Sequence, residues 1–391
     1  MSTLTPGMAS QLALTAYRTE LQAFNGHQLD RRFETTVGKH FEFGMPQGHI
    51  QGVSGGILSH LFHRTSGFGL IGKGREHSDY KGDHVVAIRG TSSLRDAVTD
   101  LHCGLSGSAG GLLAHAGFNK TFATMVPSLD AYFSASSSEG GTVHCVGHSL
   151  GGALAGLTAD WLKSKYPYHV NLYTFGSPRV GQEDFSRKTS NRVDQIFRCT
   201  HGADPVPMVP LFPFLHAPYN LREYRLDSAE GLSPAAHKMG ITGNPGYLNT
   251  ASGADWGKLG LRSDYTIEEI RLKYENRYQT GRTGKWISRI NSALITLLKD
   301  GGYNIGVLFQ GSTTGGLTIY DILSRALVKM SQSSVKFADQ TRGLIAHMLV
   351  FSGQGFVNIM NLNYQVIRHA FDKLTNTLAT AVRHAISSNS D

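Results

Sequence analysis

Two short segments, 147–151 and 52–56, place a serine between glycines at the spacing G-x-S-x-G. A serine nucleophile at such a turn needs a strand directly before it and a helix directly after it, because the strained turn lifts the hydroxyl clear of the sheet. An apolar run precedes Ser149, and the helical pattern Leu150–Lys165 follows it. Ser54 has neither flanking element. We therefore predict that Ser149 is a nucleophile and that Ser54 is a loop residue.

A serine hydroxyl reacts efficiently only when an imidazole accepts its proton and a carboxylate orients that imidazole. On an α/β-hydrolase sheet the chain order is serine, acid, histidine. Asp204 is the first carboxylate after the predicted strand 194–199, at the sheet edge where such sites lie. His216 and His237 are the downstream candidates for the base. His216 follows Asp204 by only 12 residues, which is the tighter fit, and we favour His237.

Each of these assignments has a structural alternative. An Asp before Pro is common in turns, and lone histidines are usually structural, so each residue needs the support of the other two. A tetrahedral intermediate also needs hydrogen-bond donors for its oxyanion. We predict two such donors: the backbone N–H of Leu150, at a helix N-terminus, and Thr91, just past the predicted strand 84–88.

The elements that must position these residues alternate between strand and helix. Apolar runs at 84–88, 142–146, 170–175 and 194–199 predict buried strands, and helical patterns at 8–24, 119–132 and 150–165 accompany them. This order predicts an α/β fold of the α/β-hydrolase type with a mostly parallel sheet. After about residue 255 the helical patterns 265–278, 286–299, 320–330 and 363–386 dominate. We therefore divide the chain into a catalytic domain, 1–259, and a mainly helical C-terminal region, 260–391.

Five motifs in order resemble the fungal-type (class 3) triacylglycerol lipase family. They are VVAIRGTSSLRDAVTDL at 85–101, HAGF at 115–118, VGHSLGGALA at 146–155, FGSPRVG at 175–181 and DPVP at 204–207. The resemblance implies that Ser149, Asp204 and His237 form the catalytic triad and that Thr91 lines the oxyanion hole. The chain differs from the family at Ala236, where the family usually has Asp, and in a Gly- and Ser-rich segment, 103–111, where a helical lid would follow.

The chain is also similar to bacterial antibacterial phospholipase effectors of the type VI secretion kind. This resemblance implies an inhibitor (immunity) protein as a partner. The N-terminus has neither a basic region nor a long apolar region, so we expect no Sec signal peptide, and either a cytoplasmic location or export by a leaderless route.

Composition limits the remaining function classes. The net formal charge is +8, and residues 261–391 hold 15 basic and 9 acidic residues. This excess suits a membrane surface or a solvated helical face, and the absence of any nucleic-acid-binding motif argues against nucleic acid. Cys103, Cys145 and Cys199 do not form a disulfide framework.

We therefore predict a lipid ester hydrolase that acts on a lipid or phospholipid substrate, and whose chemistry needs no cofactor or metal. A small-ester carboxylesterase and a non-catalytic lipid- or protein-binding module are the alternatives. The proline-rich segment 205–215 predicts a loop, whose Phe212 and Phe214 either bind the acyl chain or pack inward. The amphipathic segment 366–386 either packs on the domain or adds membrane affinity.

Overall fold

The computed structural model describes residues 2–19, 34–43, 49–53, 65–90, 105–136, 140–219, 222–240, 245–260, 269–304, 308 and 318–387. Ser54, Thr91 and Cys103 lie outside these residues. Within the described part of the chain, no helix has the length and apolar composition needed to cross a bilayer.

The larger sheet is mixed, with its parallel half at the centre of the molecule. Its strands are β1 (Phe41–Phe43), β2 (His49–Val53), β3 (Thr65–Gly74), β4 (His84–Ile88), β7 (Thr142–His148), β8 (His169–Phe175), β9 (Gln195–Thr200) and β10 (Tyr224–Arg225). Strands β1 and β2 pair with β3, and β3 pairs with β4, all antiparallel. From β4 the order β4-β7-β8-β9-β10 is parallel throughout. A separate hairpin joins β5 (Leu105–Gly107) to β6 (Leu113–His115).

The central strands are buried on both faces, which explains why they are continuous apolar runs. Side chains alternate between the faces of a strand, so neighbouring residues enter different cores. In β4, Val85 belongs to one core cluster and Val86 to the other. In β7 the same division separates Val146 from Cys145.

Helices cover both faces of this sheet, as predicted for an α/β-hydrolase fold. Ala116–Ser136 and Leu150–Lys165 pack on the face that carries Val86. Pro6–Thr15 and Tyr247–Ala251 pack on the opposite face. Shorter helices, Val37–His40, Glu183–Arg192 and Trp256–Gly260, complete this part of the chain. The predicted α/β fold with a mostly parallel sheet is confirmed.

The C-terminal region is helical and shares its core with the sheet. Its helices are Gly284–Asp300, Ile319–Ser333, Val335–Phe351 and Tyr364–Ser387. Their buried residues join the same cluster as those of the sheet face that carries Val86. Tyr364–Ser387 buries its apolar stripe, as expected if this helix packs on the domain. The division at residue 259 stays a prediction, and the hydrophobic core crosses it without a break.

Two predicted helices differ from the structure. The described part of 265–278 contains only the 3₁₀ helix Tyr274–Gln279, which buries no residue and so lacks the apolar stripe that sustains an α-helix in a protein. Where the pattern 8–24 predicts a helix, the observed helix begins earlier, at Pro6, with Thr5 as its N-cap residue, and ends at Thr15. A 3₁₀ turn, Ala16–Thr19, follows it, and residues 20–24 lie outside the described part.

Candidate active site

Ser149 lies at a sharp turn between β7 and the helix Leu150–Lys165. Its backbone has φ 56° and ψ −132°, a conformation that a non-glycine residue rarely adopts. The turn requires glycine on both sides. A Cβ on Gly147 would lie 2.2 Å from the carbonyl oxygen of Gly151, and a Cβ on Gly151 would lie 2.2 Å from that of Ile88. The Ser149 N–H donates to the carbonyl oxygen of Phe175 at 2.8 Å, which ties the turn to β8.

The structure brings the three predicted triad residues into one hydrogen-bonded chain. The Ser149 hydroxyl lies 2.8 Å from Nε2 of His237, and Nδ1 of His237 lies 2.8 Å from Oδ2 of Asp204. Ser149 is 5% exposed, Asp204 1% and His237 0%. With Nδ1–H donating to the carboxylate, Nε2 accepts the hydrogen bond of the Ser149 hydroxyl and is placed to take its proton.

Asp204 and His237 come from two short turns beyond the parallel strands. Asp204 follows β9, and its Oδ1 accepts the N–H of Val206 at 2.9 Å, which fixes the carboxylate. His237 ends the 3₁₀ turn Pro234–His237, which the C-terminal helix Tyr364–Ser387 contacts. Gly176 passes so close that a Cβ there would lie 2.6 Å from Oδ2 of Asp204 and 3.0 Å from Nδ1 of His237.

Tyr247 supports the acid and was not identified from the sequence. Its hydroxyl donates to Oδ2 of Asp204 at 2.7 Å and accepts the backbone N–H of His201 at 3.0 Å. Burial, and then the nearby Asp204 charge, raise the pKa of Tyr247 well above its usual value. The hydroxyl therefore stays protonated and donates. The His201 ring stacks on the Tyr247 ring with centroids 4.0 Å apart.

His148 and Tyr17 form a second support that the sequence did not reveal. Nε2–H of His148 donates to the carbonyl oxygen of His237 at 2.8 Å, and Nδ1 accepts the Tyr17 hydroxyl at 2.6 Å. Burial, followed by the proximity of His237, holds the pKa of His148 well below its usual value, so the ring is neutral. Gly90 lies beside the same hydroxyl, since a Cβ there would lie 2.6 Å from the Tyr17 oxygen. The N-terminal turn thereby reaches the catalytic histidine.

Of the two predicted oxyanion donors, Leu150 lies among the described residues and Thr91 does not. Leu150 is the first residue of its helix, so its N–H is not committed to an i→i−4 bond within that helix. Gly90 lies beside the serine, since a Cβ there would lie 3.1 Å from Cβ of Ser149. Thr91 follows Gly90 but lies outside the described residues, and its role stays a prediction.

The other predicted residues lie in the interior, and their bonds and ring contacts are with residues outside the triad. Phe212 is 2% exposed, and its N–H donates to Oδ1 of Asn291 at 2.9 Å. Phe214 is 5% exposed, and its ring lies 5.3 Å from that of His115. Both positions match the inward-packing alternative, and a role in acyl binding stays a prediction. His216 is bonded to the Pro207 carbonyl oxygen at 2.8 Å rather than to the nucleophile.

A cavity of about 80 Å³ lies behind the acid, between the segment 200–219 and the helix Gly284–Asp300. Asp204 lines it, whereas Ser149 and His237 do not. Within the described residues, His, Cys, Asp and Glu side chains do not gather in groups of three or more that could hold a metal ion.

Comparison with known proteins agrees with this geometry. Residues 85–214, which include Ser149 and Asp204, match the family model described as lipase (class 3). The resemblance to class 3 lipases is confirmed. The class 3 lipase match covers most of β4, the turn at Ser149 and the acid Asp204, and ends before His237.

Similar curated proteins include lipases and a toxin. The chain is 35% identical to "Secreted mono- and diacylglycerol lipase 1" of Fusarium solani over 151 residues. This alignment covers 37% of this chain and 44% of that protein. The chain is 41% identical over 68 residues to "Toxin TseL" of Vibrio cholerae, which is 17% of this chain and 10% of the toxin. The chain thus spans less than half the length of these relatives.

Solved structures of fungal lipases also align with the chain. The crystal structure of a lipase from Rhizopus microsporus var. chinensis aligns with a TM-score of 0.39 at 27% identity, covering 54% of this chain and 70% of the lipase.

Proposed function

We propose that this chain hydrolyses the ester bonds of lipids through an acyl-enzyme intermediate on Ser149. The observation that carries the proposal is the unbroken chain of hydrogen bonds from the Ser149 hydroxyl through His237 to Asp204. A strained turn that places a serine hydroxyl against an imidazole, itself held by a buried carboxylate, suits proton transfer at the moment of attack. The class 3 lipase match over 85–214 supports lipid as the substrate class.

In the acylation half of the reaction, the Ser149 oxygen attacks the ester carbonyl carbon while Nε2 of His237 takes the serine proton. The carbonyl oxygen becomes an oxyanion, which the N–H of Leu150 is placed to bind. Asp204 stabilises the imidazolium and keeps Nδ1–H directed at its own oxygen. When the tetrahedral intermediate collapses, the bond to the alcohol oxygen breaks, and that alcohol takes the proton from Nε2.

In the deacylation half, a water molecule takes the place of the alcohol. His237 accepts its proton while the hydroxide oxygen attacks the acyl carbon, and the bond between this carbon and the Ser149 oxygen then breaks. The serine regains its proton, and a fatty acid leaves. His237 therefore serves as base and then acid in each half, which requires the imidazole to keep one orientation throughout.

The finer parts of the proposal concern lipid class and partners. One relative is named as a lipase of mono- and diacylglycerols, and another is named as a toxin. We propose a glycerolipid or phospholipid substrate, with an inhibitor (immunity) protein as a partner if the chain is an effector.

A series of p-nitrophenyl esters of increasing chain length tests the proposal, with Ser149→Ala as the control. Preferential hydrolysis of long chains, lost in Ser149→Ala, is the expected result. Activity on short chains alone would favour a small-ester carboxylesterase. An inactive but correctly folded wild-type protein would favour a non-catalytic binding module and contradict the proposal.

A further inference from the structure

The loop 352–363, between the helices Val335–Phe351 and Tyr364–Ser387, presents two large apolar side chains to solvent. Phe356 is 80% exposed and Met360 is 78% exposed. They are four positions apart in the chain, so their Cα atoms lie within about 14 Å of each other even in a fully extended chain. They therefore form one surface feature rather than two scattered side chains.

Buried neighbours and backbone hydrogen bonds hold the loop so that Phe356 and Met360 face solvent. Val357, 2% exposed, and Ile359, 7% exposed, alternate with the outward residues and enter the core. Tyr274 accepts the N–H of Ile359 at 3.3 Å, and its hydroxyl donates to the carbonyl oxygen of Val357 at 2.9 Å. The Arg277 guanidinium donates to the same carbonyl oxygen at 3.1 Å. The loop is thus anchored with its apolar side chains facing out.

Aromatic and cationic groups surround the tip. Tyr278, 50% exposed, lies with its ring centroid 4.3 Å from the Arg277 guanidinium, and an exposed Arg282 follows in the chain. Lys273 and Glu275, both exposed, offset each other in charge. The segment 273–282, whose Tyr274 and Arg277 anchor the loop, therefore carries a net charge of +2.

We infer that this tip, formed by Phe356, Met360, Tyr278 and Arg277, is a docking surface for a lipid bilayer with anionic headgroups. Apolar side chains enter the acyl boundary, an aromatic ring with a polar end suits the headgroup level, and arginine attracts anionic lipid. The surplus of basic residues over acidic ones in 261–391 adds to this attraction. The choice of lipid over a protein partner rests on the proposed function, because the substrate of a lipid hydrolase is itself in a bilayer or droplet.

Vesicle sedimentation tests the inference, performed in a Ser149→Ala background so that the vesicles are not consumed. The vesicles contain phosphatidylcholine alone or phosphatidylcholine with phosphatidylglycerol. We expect the parent to bind the anionic vesicles more tightly, and less so at high salt. Phe356→Ser and Met360→Ser should each raise the dissociation constant about tenfold, and the double variant about 100-fold, since each removes a large apolar side chain from the contact. Phe356→Trp should keep the affinity.

Val335→Ser is the matched control, because Val335 is equally exposed, at 79%, but lies at the start of a helix outside the tip. It should bind as the parent does. The inference is wrong if the parent binds neither vesicle, if the double variant binds as tightly as the parent, or if Val335→Ser loses as much. If the parent is a dimer that the double variant converts to a monomer without losing vesicle affinity, the occupant is a second copy of this chain and the inference fails.

Hydrolysis of a soluble p-nitrophenyl ester separates this inference from the proposed function. With Ser149 intact, Phe356→Ser and Met360→Ser should hydrolyse the soluble ester at the parent rate, since neither residue touches the triad. An inactive parent that still binds anionic vesicles through the tip would refute the hydrolase while leaving the docking surface supported.

Discussion

Replacing Tyr247 with Phe removes the hydroxyl that supports Asp204 and leaves the rest of the aromatic ring in place. That hydroxyl is fully buried, donates to Oδ2 of Asp204 at 2.7 Å and accepts the N–H of His201 at 3.0 Å. The variant leaves Asp204 with its bonds to His237 and Val206, and leaves the His201 N–H without this acceptor.

Two losses set the size of the effect on stability. A hydrogen bond to a charged group contributes about 1.5–3 kcal/mol, and a buried N–H left without an acceptor costs about 1–3 kcal/mol. Because the two overlap at one atom, we expect the free energy of unfolding to fall by about 2–4 kcal/mol. Activity should suffer less. Asp204 is charged both before and during proton transfer, so Tyr247 stabilises both states alike and kcat/KM should fall by less than about tenfold.

Urea unfolding and ester kinetics measured on the same preparation check this division. Asp204→Asn provides the contrast, since loss of the orienting carboxylate typically lowers kcat by about 10⁴. If Tyr247→Phe instead lost activity to the extent of Asp204→Asn while its unfolding free energy stayed unchanged, Tyr247 would act on the proton transfer itself. Our reasoning about its supporting role would then be refuted.

Three further outcomes are expected. Gly176→Ala should lower kcat/KM by about 100-fold, because its Cβ would displace Asp204 by a fraction of an ångström or more. Gly253 is the control, since it has a similar positive φ but open space around it, and Gly253→Ala should lower stability without lowering kcat/KM. The fragment 1–259 should be insoluble or unfolded in circular dichroism, because the core cluster that it would expose continues into the C-terminal helices; a soluble, active fragment would contradict this. Burial, aided by nearby arginines, holds the pKa of His216 well below its usual value, so the folded state keeps the ring neutral and stability falls as the pH drops below about 6.5. His216→Gln should flatten this fall by up to about 1.4 kcal/mol per pH unit in denaturant titrations, and an unchanged slope would show that the ring is charged when folded.

The nucleophile and the acid could be predicted because their signals are local. An apolar strand, a turn of small residues and a helical pattern are contiguous around Ser149, and Asp204 directly follows the end of a strand. His237 has no such local signal. Only its place after the serine and the acid in the chain, and the resemblance to a family, favour it. The structure explains why a short turn can hold it: the C-terminal helix and the imidazole of His148 support the turn from outside it.

The supports of the triad could not be predicted in the same way. Tyr17 and Tyr247 are two of 15 tyrosines. Tyr17 lies 131 residues before its partner His148, and Tyr247 lies 43 residues after its partner Asp204. Their contacts depend on how Pro6–Thr15 and Tyr247–Ala251 pack on one face of the sheet, which no short-range pattern records. The burial of Phe212 has the same origin. A proline-rich segment predicts a loop, but only the packing of Gly284–Asp300 against it shows that the loop is covered.

The most direct test of the central claim is mass spectrometry of lipids after incubation with the protein. Vesicles of phospholipid and emulsified triacylglycerol are treated with the wild-type chain or with Ser149→Ala, and released fatty acids and lysolipids are quantified. We predict fatty acid release by the wild type and none above background by Ser149→Ala. Equal release by both proteins would show that Ser149 is not the nucleophile, and no release by a folded wild type would contradict the assignment as a lipid hydrolase.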